Sequence, residues 1–183
     1  MIYSMLKDGD TFMFTFSGHG GQTEDLNGDE SDSKDECIYD AEFNKIIDDE
    51  LYKLLVEPFP KNATLIVLLD CCHSGTGVDL PWVYNPFEGE RAEQGKVCSK
   101  KIYCISGCRD PQTSADAWID RKPQGALTAN LCKLYSKVVS ENLKMRWSDF
   151  LTLLRYKIEI SGYDQIPVLS CSMVSLIDSP FFI

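Results

Sequence analysis

The sequence predicts an α/β domain with a mostly parallel sheet, and three observations predict it. Short, continuously apolar runs rich in β-branched and aromatic residues recur at Thr11–Phe16, Thr64–Leu69 and Lys101–Ser106. Such runs read as strands, the first of them buried and the second central and covered on both faces. Segments with apolar residues at helical spacing are interleaved with them, and that alternation is the signature of a parallel sheet flanked by helices. Each apolar run also ends in a polar stretch containing glycine. In open α/β sheets function gathers there, beyond the carboxyl ends of the strands.

Taken in order, Thr11–Phe16 reads as the first strand and ends in Ser17-Gly-His-Gly-Gly21, where the glycines allow a tight loop. The stretch from Gln22 to about Asp35 is polar and acidic and is expected to be a loop. Asp48–Val56 reads as a helix. Its first turn is acidic, which suits the macrodipole, and Leu51, Leu54 and Leu55 share a face. Pro58 and Pro60 stop it. Thr64–Leu69 is the most central strand and ends in Asp70-Cys-Cys-His-Ser-Gly75. Asn85–Gly95 is polar with one proline and two glycines, and is expected to be a surface linker. Lys101–Ser106 is a third strand. Ala126–Val139 is a helix, with Leu127, Leu131, Leu134 and Val138 in register. Trp147–Ile160 is another, with Ser148 as its N-cap and Phe150, Leu154 and Ile158 on one face. Val168–Ser170 is a short final strand. The chain is expected to form one domain over residues 1–183, divided into 1–84, a linker at 85–97, and 98–183.

Composition narrows the function. The chain has 183 residues, 44% of them hydrophobic, which is ordinary for a globular domain. Its net charge of −10 argues against nucleic acid and anionic membrane surfaces as partners. Glu24–Glu50 alone holds 12 acidic residues and 2 lysines, so the entire excess lies in that stretch. A solvated acidic loop and a site for a hard cation or basic substrate are both compatible with it. Eight cysteines in 183 residues fall below disulfide-scaffold density, and the interrupted apolar start lacks the pattern of a secretory leader. A reducing, cytoplasmic setting is therefore the expectation.

Two strand-end loops carry the chemistry. A cysteine nucleophile acts as thiolate, and an imidazole can take its proton. His19 follows the first strand, and Cys71, Cys72 and His73 follow the central one. If those strands are parallel, both loops lie on one edge of the sheet. Residue patterns alone leave Cys71 or Cys72 as nucleophile, and leave open that all are ordinary core and loop residues. Zinc is disfavoured because no C-x-x-C pair exists. An EF-hand starting at Thr23 would need a bidentate Glu where Lys34 stands.

Longer motifs carry a family resemblance. Ser17-Gly-His-Gly-Gly-Gln-Thr-Glu-Asp-Leu-Asn-Gly-Asp-Glu30 resembles the histidine motif of metacaspases, and Asp70-Cys-Cys-His-Ser-Gly-Thr76 resembles their cysteine motif. Ile46–Leu51, Asp79-Leu-Pro-Trp82, Ile105–Asp116 and Gln165–Ile183 are also similar to family signatures. The resemblance implies a caspase-like three-layer sandwich. Members have a strand, a helix and a further strand before the histidine motif, so the N-terminal strands of the sheet are expected to be missing here. The short segment after Asn85 is similar to the class without a long insert.

The resemblance also implies roles. His19 matches the catalytic histidine and Cys72 the nucleophile, with Cys71 at a variable position. The backbone N–H groups of Gly20 and Cys72 match the oxyanion hole. Ser17 and Asp70 match residues of a primary specificity pocket for Arg or Lys, so protein or peptide substrates with those residues before the cleaved bond are implied. Calcium is implied as a regulatory cofactor, with Asp35, Asp48, Asp49 and Asp79 as ligands. Arg91 or Lys96 would be sites of self-cleavage. A monomer is expected if the domain is complete. The alternative is a catalytically inactive module that binds calcium or a protein partner.

Overall fold

The computed structural model describes residues 2–24, 34–71, 77–86, 89–92, 95–107, 116–119 and 122–182. The strands are β1 (Thr11–Ser17), β2 (Gly20–Glu24), β3 (Lys34–Tyr39), β4 (Lys45–Ile47), β5 (Thr64–Asp70), β6 (Trp82–Asn85), β7 (Gly89–Ala92), β8 (Lys101–Ser106), β9 (Asp116–Ile119), β10 (Lys122–Gly125) and β11 (Val168–Cys171). The helices are α1 (Asp48–Leu51), continued by a π-helical turn at Tyr52–Val56, then α2 (Ala126–Ser140) and α3 (Trp147–Ile160). A 3-10 turn spans Ile2–Met5.

A six-stranded sheet in the order β1-β5-β8-β11-β6-β7 forms the centre. β1, β5 and β8 are parallel, as expected, while β11, β6 and β7 are antiparallel neighbours; β1 is half-buried to exposed rather than the expected buried strand, because it ends the sheet beside β5 alone. The alternation along β5 builds two cores, one on each face. Leu65, Val67 and Leu69 join Leu51, Leu55, Val56 and Phe59 on one face. Ile66 and Leu68 join Leu127, Leu131, Leu154 and Phe150 of α2 and α3 on the other. Each fully buried Leu or Ile contributes about 1.5–3 kcal/mol by leaving water. The fold is thus α/β, with a mixed sheet between helical layers.

Two expected loops contain strands. Gly20–Glu24 pairs antiparallel with β3, in a small sheet of order β2-β3-β4. The pairing is a backbone ladder, so polar side chains gave no apolar alternation to read. Residues 25–33 of that acidic stretch lie outside the described residues. The supposed linker from Asn85 contains β7, which closes a hairpin with β6. Asn85 is itself buried and accepts a hydrogen bond from Arg155 Nη1 at 2.7 Å. Ser148 is not the N-cap of α3. That position is Arg146, whose N–H donates to Asp149 Oδ2 at 3.1 Å, while Ser148 Oγ donates to Asp178 Oδ1.

Candidate active site and acidic cluster

The parallel register fixes where the two chemical loops begin. Ser17, the last residue of β1, lies opposite Asp70, the last residue of β5. The Gly18 N–H donates to the Asp70 carbonyl at 3.3 Å, so the ladder continues to the threshold of both loops. Cys72 and His73 lie outside the described residues. The residue before them is informative: Cys71 is fully buried in the core beneath β5, beside Leu69 and Val67. A thiol enclosed there is a poor nucleophile.

His19 stands exposed between β1 and β2. Its carbonyl accepts the Tyr39 N–H at 3.0 Å, and its ring stacks on Phe43 with centroids 6.3 Å apart. Phe43 takes a left-handed conformation, φ 63°, in the turn between β3 and β4. Asp40 organises that turn by accepting N–H groups of Glu42 and Asn44 and the Asn44 side-chain amide. The Asn44 hydrogen bonds hold the Asp40 carboxyl below its usual range. Phe43 was not visible as a partner of His19, although Asp40-Ala-Glu-Phe-Asn44 carries a turn signal.

Asp70 is buried and points to the α2 side of the sheet. Its Oδ2 accepts the Thr128 N–H at 2.8 Å, inside the first turn of α2. The helix N-cap is Gly125, which has no side chain to offer, so a distant carboxylate does the capping. A Cβ on Gly125 would sit 2.0 Å from Asp70 Oδ2, so only glycine lets the carboxylate in. Ser17 Oγ lies 3.4 Å from Thr128 Oγ1. Ser17 and Asp70 are thus brought to one spot, with Thr128 and Gly125 as companions that no sequence pattern announced.

Three of the four remaining aspartates, Asp48, Asp49 and Asp79, lie together beside the end of β3 that carries Asp35 and Glu36. Asp35 and Glu36 of β3, Asp48 of α1 and Asp79 are all buried. Asp48 accepts the Glu36 N–H on Oδ2 and the Asp49 N–H on Oδ1, both at 2.7 Å. Burial first, and the Asp79 charge second, push the Asp48 carboxyl up to about 8 against those two donors. Asp79 adopts φ 45°, which turns its backbone sharply. Lys96 reaches into the group: its Nζ bonds Asp49 Oδ1 and, at 2.6 Å, Asp79 Oδ2. Burial opposes the Lys96 charge, but these hydrogen bonds outweigh it and hold the ammonium protonated above its usual range. Lys53 lies 3.5 Å from Asp49. Among the described residues, no three His, Cys, Asp or Glu side chains converge on one metal-sized point. The donor chemistry fits a hard cation nonetheless. The oxygens are carboxylates, those of Asp35, Asp48 and Asp79 belong to buried residues and Asp49 is half-buried, and the cation already seated on Asp49 and Asp79 is an ammonium.

β3 links the two places. Its Asp35–Glu36 end belongs to the acidic cluster and its Tyr39 end holds the His19 carbonyl.

Among the other described cysteines, Cys37, Cys98, Cys104 and Cys171 are buried and Cys132 is exposed. Burial pushes the Cys104 thiol up to about 12 and raises the Cys171 thiol well above its ordinary value. No described helix is long and apolar enough to cross a membrane.

Residues 1–81 match the family model described as metacaspase, peptidase C14 domain. Metacaspase-1 of Coccidioides immitis is 31% identical over 93% of this chain and 47% of its own length. Metacaspase-1 of Schizosaccharomyces pombe is 30% identical over 93% of this chain and 51% of its own. Metacaspase-1 of Yarrowia lipolytica is 32% identical over 89% and 45%. The chain therefore spans about half the length of the curated relatives it matches. Among solved structures, protein GSU0716 from Geobacter sulfurreducens superposes with a TM-score of 0.63 at 26% identity, covering 97% of this chain and 73% of that one. By its match to the family model and its likeness to several metacaspases over about nine tenths of its length, the chain is a metacaspase-like protein.

Proposed function

We propose that the protein is a cysteine endopeptidase that cleaves after Arg or Lys and is switched by calcium. The supporting observation is the register that sets Ser17 opposite Asp70, since it starts the His19 loop and the cysteine loop from the same edge of adjacent parallel strands. In this reading the Cys72 thiolate attacks the carbonyl carbon of the substrate peptide bond. His19 accepts the thiol proton and returns it to the departing amine. The acyl-enzyme is then hydrolysed by water, regenerating the thiol and releasing a carboxylate. The N–H groups of Gly20 and Cys72 stabilise the oxyanion. Asp70, with Ser17 beside it, receives the cationic side chain before the cleaved bond. Asp35, Asp48, Asp49 and Asp79 would hold calcium, which relieves the mutual repulsion of buried carboxylates. Its effect would reach His19 through β3. The substrates are proteins or peptides, and the setting is cytoplasmic.

The test is hydrolysis of a fluorogenic peptide ending in Arg, with and without millimolar calcium, beside Cys72→Ala. Calcium-dependent turnover that disappears in the variant is expected. Folded protein that binds calcium without turnover would instead identify a non-catalytic binding module.

A further inference from the structure

The segment 95–98 is fastened over the acidic cluster by a lysine. Gly95 presses its backbone onto Asp79–Leu80 so closely that a Cβ there would lie 2.6 Å from the Leu80 carbonyl carbon. The Lys96 N–H donates to the Asp79 carbonyl at 2.9 Å. The Lys96 ammonium engages Asp49 and Asp79 and lies 5.1 Å from the centroid of the Tyr52 ring. Cys98 is buried in the core under β5, whereas Val97 between them is 93% exposed. The side chain of Lys96 is therefore held inward while the following residue stands in solvent.

Two cations cannot share these carboxylates cheaply. A divalent ion on Asp49 and Asp79 would take the oxygens that Lys96 uses and would repel its ammonium at close range. We propose that Lys96 is a tethered competitor for the cation of this cluster, so that calcium binding and release of the Lys96 side chain are one equilibrium. In the metal-free protein the single lysine charge is shared between half-buried Asp49 and buried Asp79. Calcium replaces it, and the strap loses two ion-pair anchors while keeping Cys98. This inference rests on the calcium reading above, but not on peptidase activity.

The test uses the full chain carrying Cys72→Ala, so that self-cleavage cannot intervene. Calcium chloride is titrated calorimetrically into this protein and into its Lys96→Gln and Lys96→Arg derivatives. Lys96→Gln should bind calcium about threefold or more tightly than the parent, since no internal cation must leave. Lys96→Arg should not gain. Independently of any Lys96 variant, trypsin should cut after Lys96 slowly in chelator and about tenfold faster with calcium. Equal calcium affinity in all three proteins, with Lys96 resistant to trypsin throughout, would overturn the competition and leave the calcium reading intact. Absence of binding heat in every protein would overturn both, while peptide turnover would still decide the peptidase reading separately.

Discussion

Asp70 has one observed duty and one proposed here, and substitution can separate them. Its carboxylate caps α2 through the Thr128 N–H, and its charge suits a cationic substrate side chain. Asp70→Asn keeps an oxygen for the cap and removes the charge. It should therefore cost no more than about 1 kcal/mol of stability in urea unfolding while cutting kcat/KM on Arg peptides by tenfold or more. Gly125→Ala makes the complementary case, because its Cβ drives the carboxylate out of place. It should lower both stability, by about 1–3 kcal/mol, and cleavage after Arg. Cys71 offers a different separation. Cys71→Ser buries a hydroxyl in an apolar core and should lose about 1–3 kcal/mol by thermal melting, yet keep most peptidase activity. Loss of activity from a folded, stable Cys71→Ser protein would mean that the nucleophile had been assigned to the wrong cysteine.

At the scale of elements, α1 and β3 form an electrostatic unit whose behaviour depends on pH. The Asp48 carboxyl is raised from 3.8 to about 8, so the folded chain keeps a proton that the unfolded chain releases. Stability of the metal-free domain should therefore fall as pH rises from about 4 to about 8, by up to ~1.4 kcal/mol per pH unit, and level off above. Asp48→Asn should flatten that profile in chelator, as measured by urea unfolding at successive pH values. Elements also differ in how legible they were. β5 and β8 were readable because strands buried on both faces must be apolar throughout, β1 because its run is rich in phenylalanine although the strand is only half-buried, and α2 and α3 because one face repeats at helical spacing. β2 and β7 were not, since their partners are chosen by backbone hydrogen bonds and their residues are largely polar. The same limit applies to the site. Ser17, His19 and Asp70 stand in compact motifs, whereas Thr128, Gly125 and Phe43 act from distant segments that carry no motif.

For the whole molecule, the sheet has unequal ends. β7 ends one edge as half of a hairpin, but β1 ends the other with half-buried Phe12, Met13, Phe14 and Phe16 on its faces. A strand of this kind with one described neighbour offers a row of backbone groups to another chain. Association should rise with concentration in sedimentation experiments, and Thr15→Lys, at an exposed position of β1, should reduce it. A concentration-independent monomer would show that this edge is covered.

The order of strands also sets a timescale. Thr11 meets Thr64, Thr64 meets Lys101, and Tyr103 meets Cys171, so only the β6–β7 pair of the large sheet joins neighbours in sequence. Each remaining pair closes a long loop before its contacts repay the lost entropy. Refolding from urea should accordingly be slow, in the range of milliseconds to seconds or beyond, and the β1 edge is open to other chains throughout that wait. The yield of native protein is then decided by how long the chain takes to find β5, as much as by how stable the finished sheet is.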